Sequence, residues 1–261
     1  MLGSLLFKAP RAHGRGDSRA TEALRPDETV FFVHIPKCAG SSFRAVLKRW
    51  FGADLMILDS SSPKALRRGL ARRPAPPRAL AGHFIHGVHE GGAFKPYYLS
   101  LVRDPVERFV SLYKHARQTP DHQFHPVAAA LDLEGFYEHT QTDDRARSWT
   151  VAIQCFFLSG TRSFDAARPV IADRYRLIAP AEDFDRFIAD AAVLLGKPAM
   201  PAPSRNRRPS DPAVADAALA LEPRIRLDHH EDQRLYEHVR SLAPVRPVAG
   251  EVRSFRSASA S

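Results

Sequence analysis

The stretch TVFFVHIPKCAGSSFRAVLKRWF, residues 29–51, predicts a strand, a tight loop and a helix in direct succession. Residues 30–33 form a continuous apolar run rich in β-branched and aromatic side chains, which is typical of a strand buried on both faces. Pro36 and Gly40 interrupt this run. The apolar residues that follow recur with the i, i+3, i+4, i+7 spacing of an amphipathic helix, at Phe43, Val46, Leu47 and Trp50.

The loop between this strand and helix has the composition of an anion-binding site. Lys37 supplies a cation, and Ser41 and Ser42 supply hydroxyl groups where we expect them to cap the helix. The backbone N–H groups at a helix N-terminus favour phosphate or sulfate, because they carry partial positive charge. An ordinary strand-to-helix turn is the alternative that these residues leave open.

Length and composition indicate one globular domain that favours anionic ligands. The 261 residues can bury one sizeable core, and the net charge of +9 raises the local concentration of anions. Lys and Arg are spread along the chain without the signature of a nucleic-acid module, so we expect no nucleic-acid partner. Cys38 and Cys155 are too few for a disulfide framework and lack metal-ligand spacing, which predicts a reducing compartment.

The two ends of the chain differ from its centre in composition. We assign residues 1–27 to a flexible N-terminal segment, residues 28–243 to the domain and residues 244–261 to a tail. The apolar patch at residues 2–7 has no basic region before it and no cleavage site after it, so we expect no signal peptide. No apolar run reaches membrane-spanning length, and we expect no stable membrane insertion.

Strand and helix patterns alternate along the domain. This alternation predicts a mainly parallel sheet, whose ligand site lies beyond the carboxyl ends of its strands. Residues 36–42, His83 and Arg103 all fall at predicted strand ends. Further strands are predicted at 54–58, near 80, at 97–102 and at 175–180, and helices at 63–73, from 105, at 127–139, 145–158, 182–195, 212–222 and 228–242.

The order of residues in the first loop differs from the common nucleotide-binding motif. In G-x-x-x-x-G-K-[ST] the lysine follows the second glycine, whereas Lys37 precedes Gly40. The order PKCAGSS resembles the PK-[TS]-[AG]-[GS]-[TS]-[ST] loop of sulfotransferases that use 3'-phosphoadenosine 5'-phosphosulfate (PAPS), in particular the carbohydrate group with heparan sulfate and uronyl 2-O-sulfotransferases and their bacterial relatives.

This resemblance implies a fold and a set of donor contacts. The fold is a P-loop NTPase-like three-layer sandwich, in which a central, mainly parallel sheet is flanked by helices. The loop is expected to hold the 5'-phosphosulfate of PAPS through Lys37, Cys38, Ala39, Gly40, Ser41 and Ser42. The same position, beside Lys37 and a helix N-terminus, predicts a lowered pKa for the Cys38 thiol and an oxidation-sensitive enzyme.

The segment YYLSLVRDPVERFVSLYKHAR, residues 97–117, resembles the family's 3'-phosphate segment. There an Arg ends a strand and a Ser follows eight residues later, as Arg103 and Ser111 do here. A guanidinium suits a phosphate dianion because it donates paired hydrogen bonds. From the residues alone, Arg103 can instead pair with Asp104 or Glu107, and Ser111 can be a surface hydroxyl.

The segment GHFIHGVHE, residues 82–90, resembles the family segment that carries a catalytic histidine. His83 matches the base that removes the proton of the acceptor hydroxyl, and His86 is the candidate for a second catalytic histidine. The second histidine of the heparan sulfate enzymes lies one position before His86, where this chain has Ile85. A hydrogen-bonded structural histidine and a zinc site made by His83, His86 and His89 are the open alternatives.

Three later stretches extend the resemblance. IQCFFLSG, residues 153–160, is similar to a QTRxLxG-like segment of bacterial members, and YRLIAPAEDFDRF, residues 175–187, is similar to the family's VGxTE-D/E-F segment, with Ala181 in place of Thr. SRNRRPS, residues 204–210, is similar to a late loop that closes over the nucleotide. Its candidate contacts are Asn206 and Arg207.

Together these patterns predict a PAPS-dependent O-sulfotransferase. PAPS is the expected sulfuryl donor, no metal is required, and the expected acceptor is a hydroxyl-bearing saccharide or glycolipid, contacted by residues 114–150. Animal relatives in this family carry a Golgi anchor, whereas we expect no anchor here, so the resemblance further implies a cytoplasmic bacterial enzyme. A P-loop kinase-like phosphotransferase and a basic, non-catalytic binding protein on the same fold are the alternatives.

Overall fold

The computed structural model of the protein describes residues 20–90, 92, 94–201, 211–242 and 246–247. The strands are β1 (Ala20–Thr21), β2 (Glu28–Val33), β3 (Leu55–Ile57), β4 (Ala79–Gly82), β5 (Lys95–Val102), β6 (Tyr175–Pro180) and β7 (Arg246–Pro247). The helices are α1 (Gly40–Phe51), α2 (Pro63–Ala71), α3 (Pro105–Gln118), α4 (His125–Ala130), α5 (Leu133–Thr142), α6 (Asp144–Thr150), α7 (Ile153–Ser159), α8 (Phe164–Arg174), α9 (Phe184–Leu194), α10 (Pro212–Asp228) and α11 (His230–Ser241).

A five-stranded sheet forms the centre of the fold, in the order β3-β4-β2-β5-β6. Every neighbouring pair in it is parallel, so the carboxyl ends of all five strands lie at one edge. The central strand β2 pairs Val33 with Gly82 on one side and with Ser100 on the other. This architecture confirms the predicted α/β fold with a parallel sheet flanked by helices.

Helices cover both faces of the sheet because the crossovers run in opposite directions. The chain moves from β2 past β4 to β3 through α1, and then back through α2 to β4. Right-handed crossovers in opposite directions place their helices on opposite faces. The helix α9 lies on the α1 face, where Phe187 meets the Phe43 ring with 4.8 Å between the ring centroids.

Two apolar clusters stabilise the domain. The larger one surrounds the sheet and includes all of residues 30–33, each at most 1% exposed, as a strand buried on both faces requires. The smaller one joins α3, α5 and α10 through Phe109, Phe136 and Ile225, and it includes Ala128 of α4. Among the described helices, none combines the length and the apolar composition of a membrane span.

Several boundaries differ from those expected from the sequence. Part of the predicted flexible N-terminal segment contacts the domain, because the backbone N–H of Leu24 donates to the Leu194 carbonyl over 2.8 Å and the Tyr97 hydroxyl donates to the Glu22 carbonyl over 2.8 Å. The two-residue strands β1 and β7 also pair with each other. Residues 1–19 and 248–261 lie outside the described part of the chain.

Candidate active site

Three of the predicted motifs meet at the carboxyl edge of the sheet. The backbone N–H of His34, which follows β2, donates to the Gly82 carbonyl at the end of β4 over 2.9 Å. On that side, Nδ1 of His83 lies 2.7 Å from the His34 carbonyl oxygen. On the other side, the Arg103 guanidinium donates to the Lys37 carbonyl over 3.3 Å. The loop after β2 therefore lies between His83 and Arg103.

The loop is built around two residues with left-handed backbone conformation. Lys37 has a φ of 70° and Ala39 a φ of 61°, which is uncommon for residues other than glycine and costs of order 1 kcal/mol or more each. The Ala39 carbonyl then accepts from the backbone N–H groups of Ser42 and Phe43, and α1 begins at Gly40. Strain of this kind concentrates at binding and catalytic sites.

The prediction that Ser41 and Ser42 cap α1 is wrong. Ala39 occupies the cap position, no side chain caps the helix, and both serines lie inside its first turn. The left-handed turn at Ala39 brings the chain into the helix without a side-chain cap. As a result the Ser41 side chain is exposed and the half-buried Ser42 follows it, next to the N–H groups that a helix N-terminus presents outward.

A residue that the sequence did not single out, His34, connects this loop to His83. Its imidazole stacks on the His83 ring with 4.1 Å between the ring centroids. The same ring fills the space beside Gly40, since a Cβ at Gly40 would lie 1.8 Å from the His34 Cδ2. Burial lowers the pKa of His34 to about 2, with the neighbouring His83 contributing, so His34 stays neutral.

His83 has the protonation pattern of a general base. A carbonyl oxygen only accepts, so Nδ1 of His83 donates its hydrogen to the His34 carbonyl and Nε2 keeps the lone pair. The backbone N–H of His83 donates to Asp59 Oδ1 over 2.9 Å, which fixes the loop after β4 to the loop after β3. Burial lowers the pKa of His83 below 6.5, although the bond to His34 and the charge of Asp59 oppose this.

The structure places His86 and His89 in an aromatic cluster. The His86 ring lies against the Tyr98 ring, with centroids 4.6 Å apart, and 5.8 Å from the Tyr175 ring. The Tyr98 hydroxyl accepts from the Gly87 N–H and pairs with Nδ1 of His89 over 2.8 Å. Burial lowers the pKa of His86 to about 4. A catalytic role for His86 stays a prediction.

The part of the chain that the structure describes contains no cluster of side chains that would support the zinc alternative. Within those residues, no three His, Cys, Asp or Glu side chains come together as a metal site requires. His83 pairs with His34, whereas His89 pairs with Tyr98.

The side chain of Arg103 contacts two residues in the described part of the chain. Its Nε pairs with Glu107 over 3.1 Å, and its Nη1 donates to the Lys37 carbonyl. Glu107 is 63% exposed, and an ion pair in such an environment stabilises little, so a phosphate dianion can replace it. Asp104 caps α3 as predicted, and Ser111 lies half-buried about two turns along that helix.

The expected activation of Cys38 is wrong. The side chain is 1% exposed, and its thiol donates to the Gln154 Oε1 over 3.4 Å. Burial raises the pKa of Cys38 to about 12, despite the opposing charges of Arg108 and Arg103. The thiol is therefore protonated at neutral pH and is a poor nucleophile, so the predicted sensitivity to oxidation loses its physical basis.

The donor groups at this edge suit an anionic ligand. The start of α1 supplies the N–H groups of Gly40 and Ser41, which precede the two that donate to the Ala39 carbonyl. The ammonium, hydroxyl and guanidinium groups come from Lys37, Ser41, Ser42 and Arg103. Acidic side chains nearby are already engaged, Glu107 with Arg103 and Asp59 with the His83 N–H. Asn206 and Arg207, the two candidates in the late loop, lie outside the described residues.

The comparison with protein families agrees with a site that suits an anionic ligand. The model of the sulfotransferase family matches residues 23–153, which is half of the chain and includes the loop, His83, Arg103 and Ser111. The chain belongs to the sulfotransferase family. A solved structure of a sulfotransferase from Alicyclobacillus acidocaldarius is 16% identical, covers 82% of this chain and 96% of that chain, and has a TM-score of 0.49. A search of curated proteins finds no match.

Two site residues of this sulfotransferase were missed in the sequence. His34 and Asp59 are the first polar residues after β2 and β3, so each lies at the carboxyl edge where a parallel sheet places its ligand site. That position is a signal that the sequence does contain. Gln154 lies in residues 153–160, which resemble a segment of bacterial family members. Its contacts with Arg103 depend on the tertiary structure and could not be predicted from that resemblance.

Proposed function

We propose that this sulfotransferase transfers the sulfuryl group of PAPS to a hydroxyl of a saccharide or glycolipid. The observation that supports the proposal most is the meeting of three strand ends in one place. His83, the loop that follows β2 and Arg103 are joined to one another through contacts of 2.7 Å and 3.3 Å. A base, an anion-binding loop and a second cation are the parts that such a transfer needs.

The donor is held, in this proposal, by groups on both sides of the loop. The N–H groups of Gly40 and Ser41 at the start of α1, with the hydroxyls of Ser41 and Ser42, bind the 5'-phosphosulfate. Arg103 binds the 3'-phosphate, after exchanging its exposed partner Glu107 for it. Lys37 offsets the charge that grows on the bridging phosphate oxygen. PAPS supplies the sulfuryl group and leaves as the bisphosphate PAP.

The proton of the acceptor goes to His83. Nε2 carries the lone pair because Nδ1–H is engaged with the His34 carbonyl, so Nε2 removes the hydroxyl proton as the acceptor oxygen attacks sulfur. The new O–S bond forms while the S–O bond to the phosphate breaks, and the electron pair of that bond leaves with PAP. The stacked His34 stays neutral and keeps the His83 ring in this orientation.

A phosphotransferase remains the main alternative and is disfavoured by the acids at the same edge. A kinase of this architecture holds Mg²⁺ with a carboxylate at a strand end. Asp59 follows β3, yet it accepts from the His83 N–H over 2.9 Å and lies 3.5 Å from the Arg44 guanidinium. Both contacts are made to Oδ1, and the positive charge of the nearby guanidinium opposes the binding of a dication, which disfavours a kinase-type magnesium site at Asp59.

Thermal unfolding with nucleotides tests the proposal. At a PAP concentration of 100 times the Kd, binding stabilises the folded state by about 2.7 kcal/mol, which raises the Tm of a protein this size by about 5–10 °C. We expect this shift with PAP, unchanged by magnesium, and none with ATP. A shift with magnesium and ATP alone indicates the kinase, and no shift with either nucleotide contradicts both enzymes. With PAPS as the donor, the release of PAP is then measured after addition of neutral saccharides or of glycolipids, and the compounds that cause release identify the acceptor class.

A further inference from the structure

The main chain at Arg103 needs a partner that the sheet does not supply. The last residue of β5, Val102, pairs with Pro180, which is the last residue of β6. On the other side, the pairing of β2 with β5 ends at Ser100. Arg103 therefore lies one step beyond the ladder, and a buried peptide group without a hydrogen-bond partner is costly.

A buried glutamine replaces the missing strand. Gln154 is 0% exposed, and its side-chain amide forms hydrogen bonds with both main-chain groups of Arg103. Its Oε1 accepts from the Arg103 N–H over 2.9 Å, and its Nε2 donates to the Arg103 carbonyl over 2.8 Å. The same Oε1 accepts from the Cys38 thiol over 3.4 Å. The Gln154 amide therefore contacts both Arg103 and the loop after β2, which supply the two sides of the candidate donor site.

The helix that carries Gln154 is itself fixed by a buried carboxylate. Asp232 of α11 is 0% exposed and accepts from the backbone N–H groups of Gln154 and Cys155, over 3.2 Å and 3.0 Å. It takes the place of a cap at the start of α7, where Ala152 has no side chain to do so. Burial raises the pKa of Asp232, and the charge of the buried Arg108 and the hydrogen bonds from the two N–H groups oppose this rise.

We propose that Gln154 is a positioning residue for donor binding. It holds the Arg103 main chain at a fixed distance from the loop after β2, so that the guanidinium reaches both the loop and the 3'-phosphate. This inference rests on the proposed function, because its readout is affinity for PAP. Gln154 does not touch the donor in this proposal, and its effect on binding passes through Arg103.

A double-mutant cycle between Gln154 and Arg103 separates positioning from general stability. The substitution Gln154→Met keeps the length of the side chain and removes its donor and acceptor. In the wild-type background we expect it to raise the Kd for PAP, measured by calorimetry, by about tenfold. In the Arg103→Ala background we expect a change of less than about twofold, because the group that Gln154 positions is gone.

A control substitution and an alternative substitution at Gln154 complete the double-mutant cycle. Tyr97→Phe removes the hydrogen bond of a buried hydroxyl to the Glu22 carbonyl at the amino end of β5, away from the site, and should leave the Kd for PAP unchanged in both backgrounds. If Gln154→Met does not fold, Gln154→Glu is used in the same cycle, since it retains an acceptor for the Arg103 N–H and loses the amide donor.

The outcomes distinguish this inference from the proposed function. Equal increases in Kd with and without Arg103 would mean that Gln154 acts on the whole fold, and would overturn the positioning role while leaving PAP binding intact. An unchanged Kd in Gln154→Met overturns it as well. If wild-type protein does not bind PAP, both the proposed function and this inference fail.

Discussion

Replacing Gly40 by alanine should impair catalysis far more than folding. An ideal Cβ at this position would lie 1.8 Å, 2.4 Å and 2.5 Å from three atoms of the His34 ring. That ring is stacked on His83 with 4.1 Å between the centroids, so a movement of the ring that makes room for the methyl group changes its contact with the base. His34 is buried, and a buried rigid ring gives way less easily than the end of a flexible side chain.

The magnitudes follow from two opposing effects on folding and one on the reaction. Overpacking a buried site costs about 1–3 kcal/mol, whereas alanine is favoured over glycine inside a helix by about 1 kcal/mol. The net loss of stability is therefore about 0–2 kcal/mol, which lowers the Tm by at most about 8 °C. Displacing a catalytic group by about 1 Å can cost 10²-fold in rate, and we expect a fall in kcat of that order for Gly40→Ala.

A second glycine provides the matched control. Gly69 also lies inside a helix, and a Cβ there would meet the Met56 Cε at 2.1 Å, which is the far end of a flexible side chain. Gly69→Ala should therefore keep the wild-type kcat. The assay is PAP release at 25 °C, with circular dichroism melting of each variant. A Gly40→Ala enzyme with kcat within twofold of wild type would refute the role of the His34 ring.

Three further substitutions or treatments test the other groups of the site. Lys37→Ala should lower kcat by about 10² or more, since it removes about 3 kcal/mol of transition-state stabilisation; a variant with over a tenth of the wild-type rate contradicts this role. Arg103→Ala should raise the Kd for PAP by about 10- to 100-fold in calorimetry and change kcat little, and equal affinity in both proteins would exclude the 3'-phosphate contact. Iodoacetamide should label Cys38 only after denaturation, and peroxide should leave activity intact, because burial keeps the pKa of this thiol near 12; rapid labelling of the folded enzyme would contradict that burial.

The sheet could be predicted from the sequence because parallel strands that are buried on both faces have a characteristic pattern. Strands buried on both faces are continuous apolar runs, as residues 30–33 and 97–102 are. Asp104 and Pro105 predicted the start of α3 because a cap and a following proline have local causes. The loop, His83 and Arg103 follow from the same logic, since each comes directly after such a strand.

The features that the sequence did not predict depend on contacts between distant residues. The burial of Cys38 involves Gln154, which is 116 positions away in the chain, so the local charges that favour a thiolate do not decide its pKa. The left-handed turn at Ala39, which replaced the expected serine cap, has no local signal. We made no prediction for α8, whose internal Pro169 is unfavourable in a helix.

The pH dependence of kcat in the wild type and in His83→Ala tests the central claim most directly. A base works in its neutral form, and burial lowers the pKa of His83 below 6.5. The wild-type rate should therefore be constant at neutral pH and fall only as the pH drops through this lowered pKa. His83→Ala should lose roughly 10² to 10⁴ in kcat together with this acid limb, and keep its affinity for PAP. If His83→Ala retains the rate and the acid limb while His86→Ala loses both, the base is not His83.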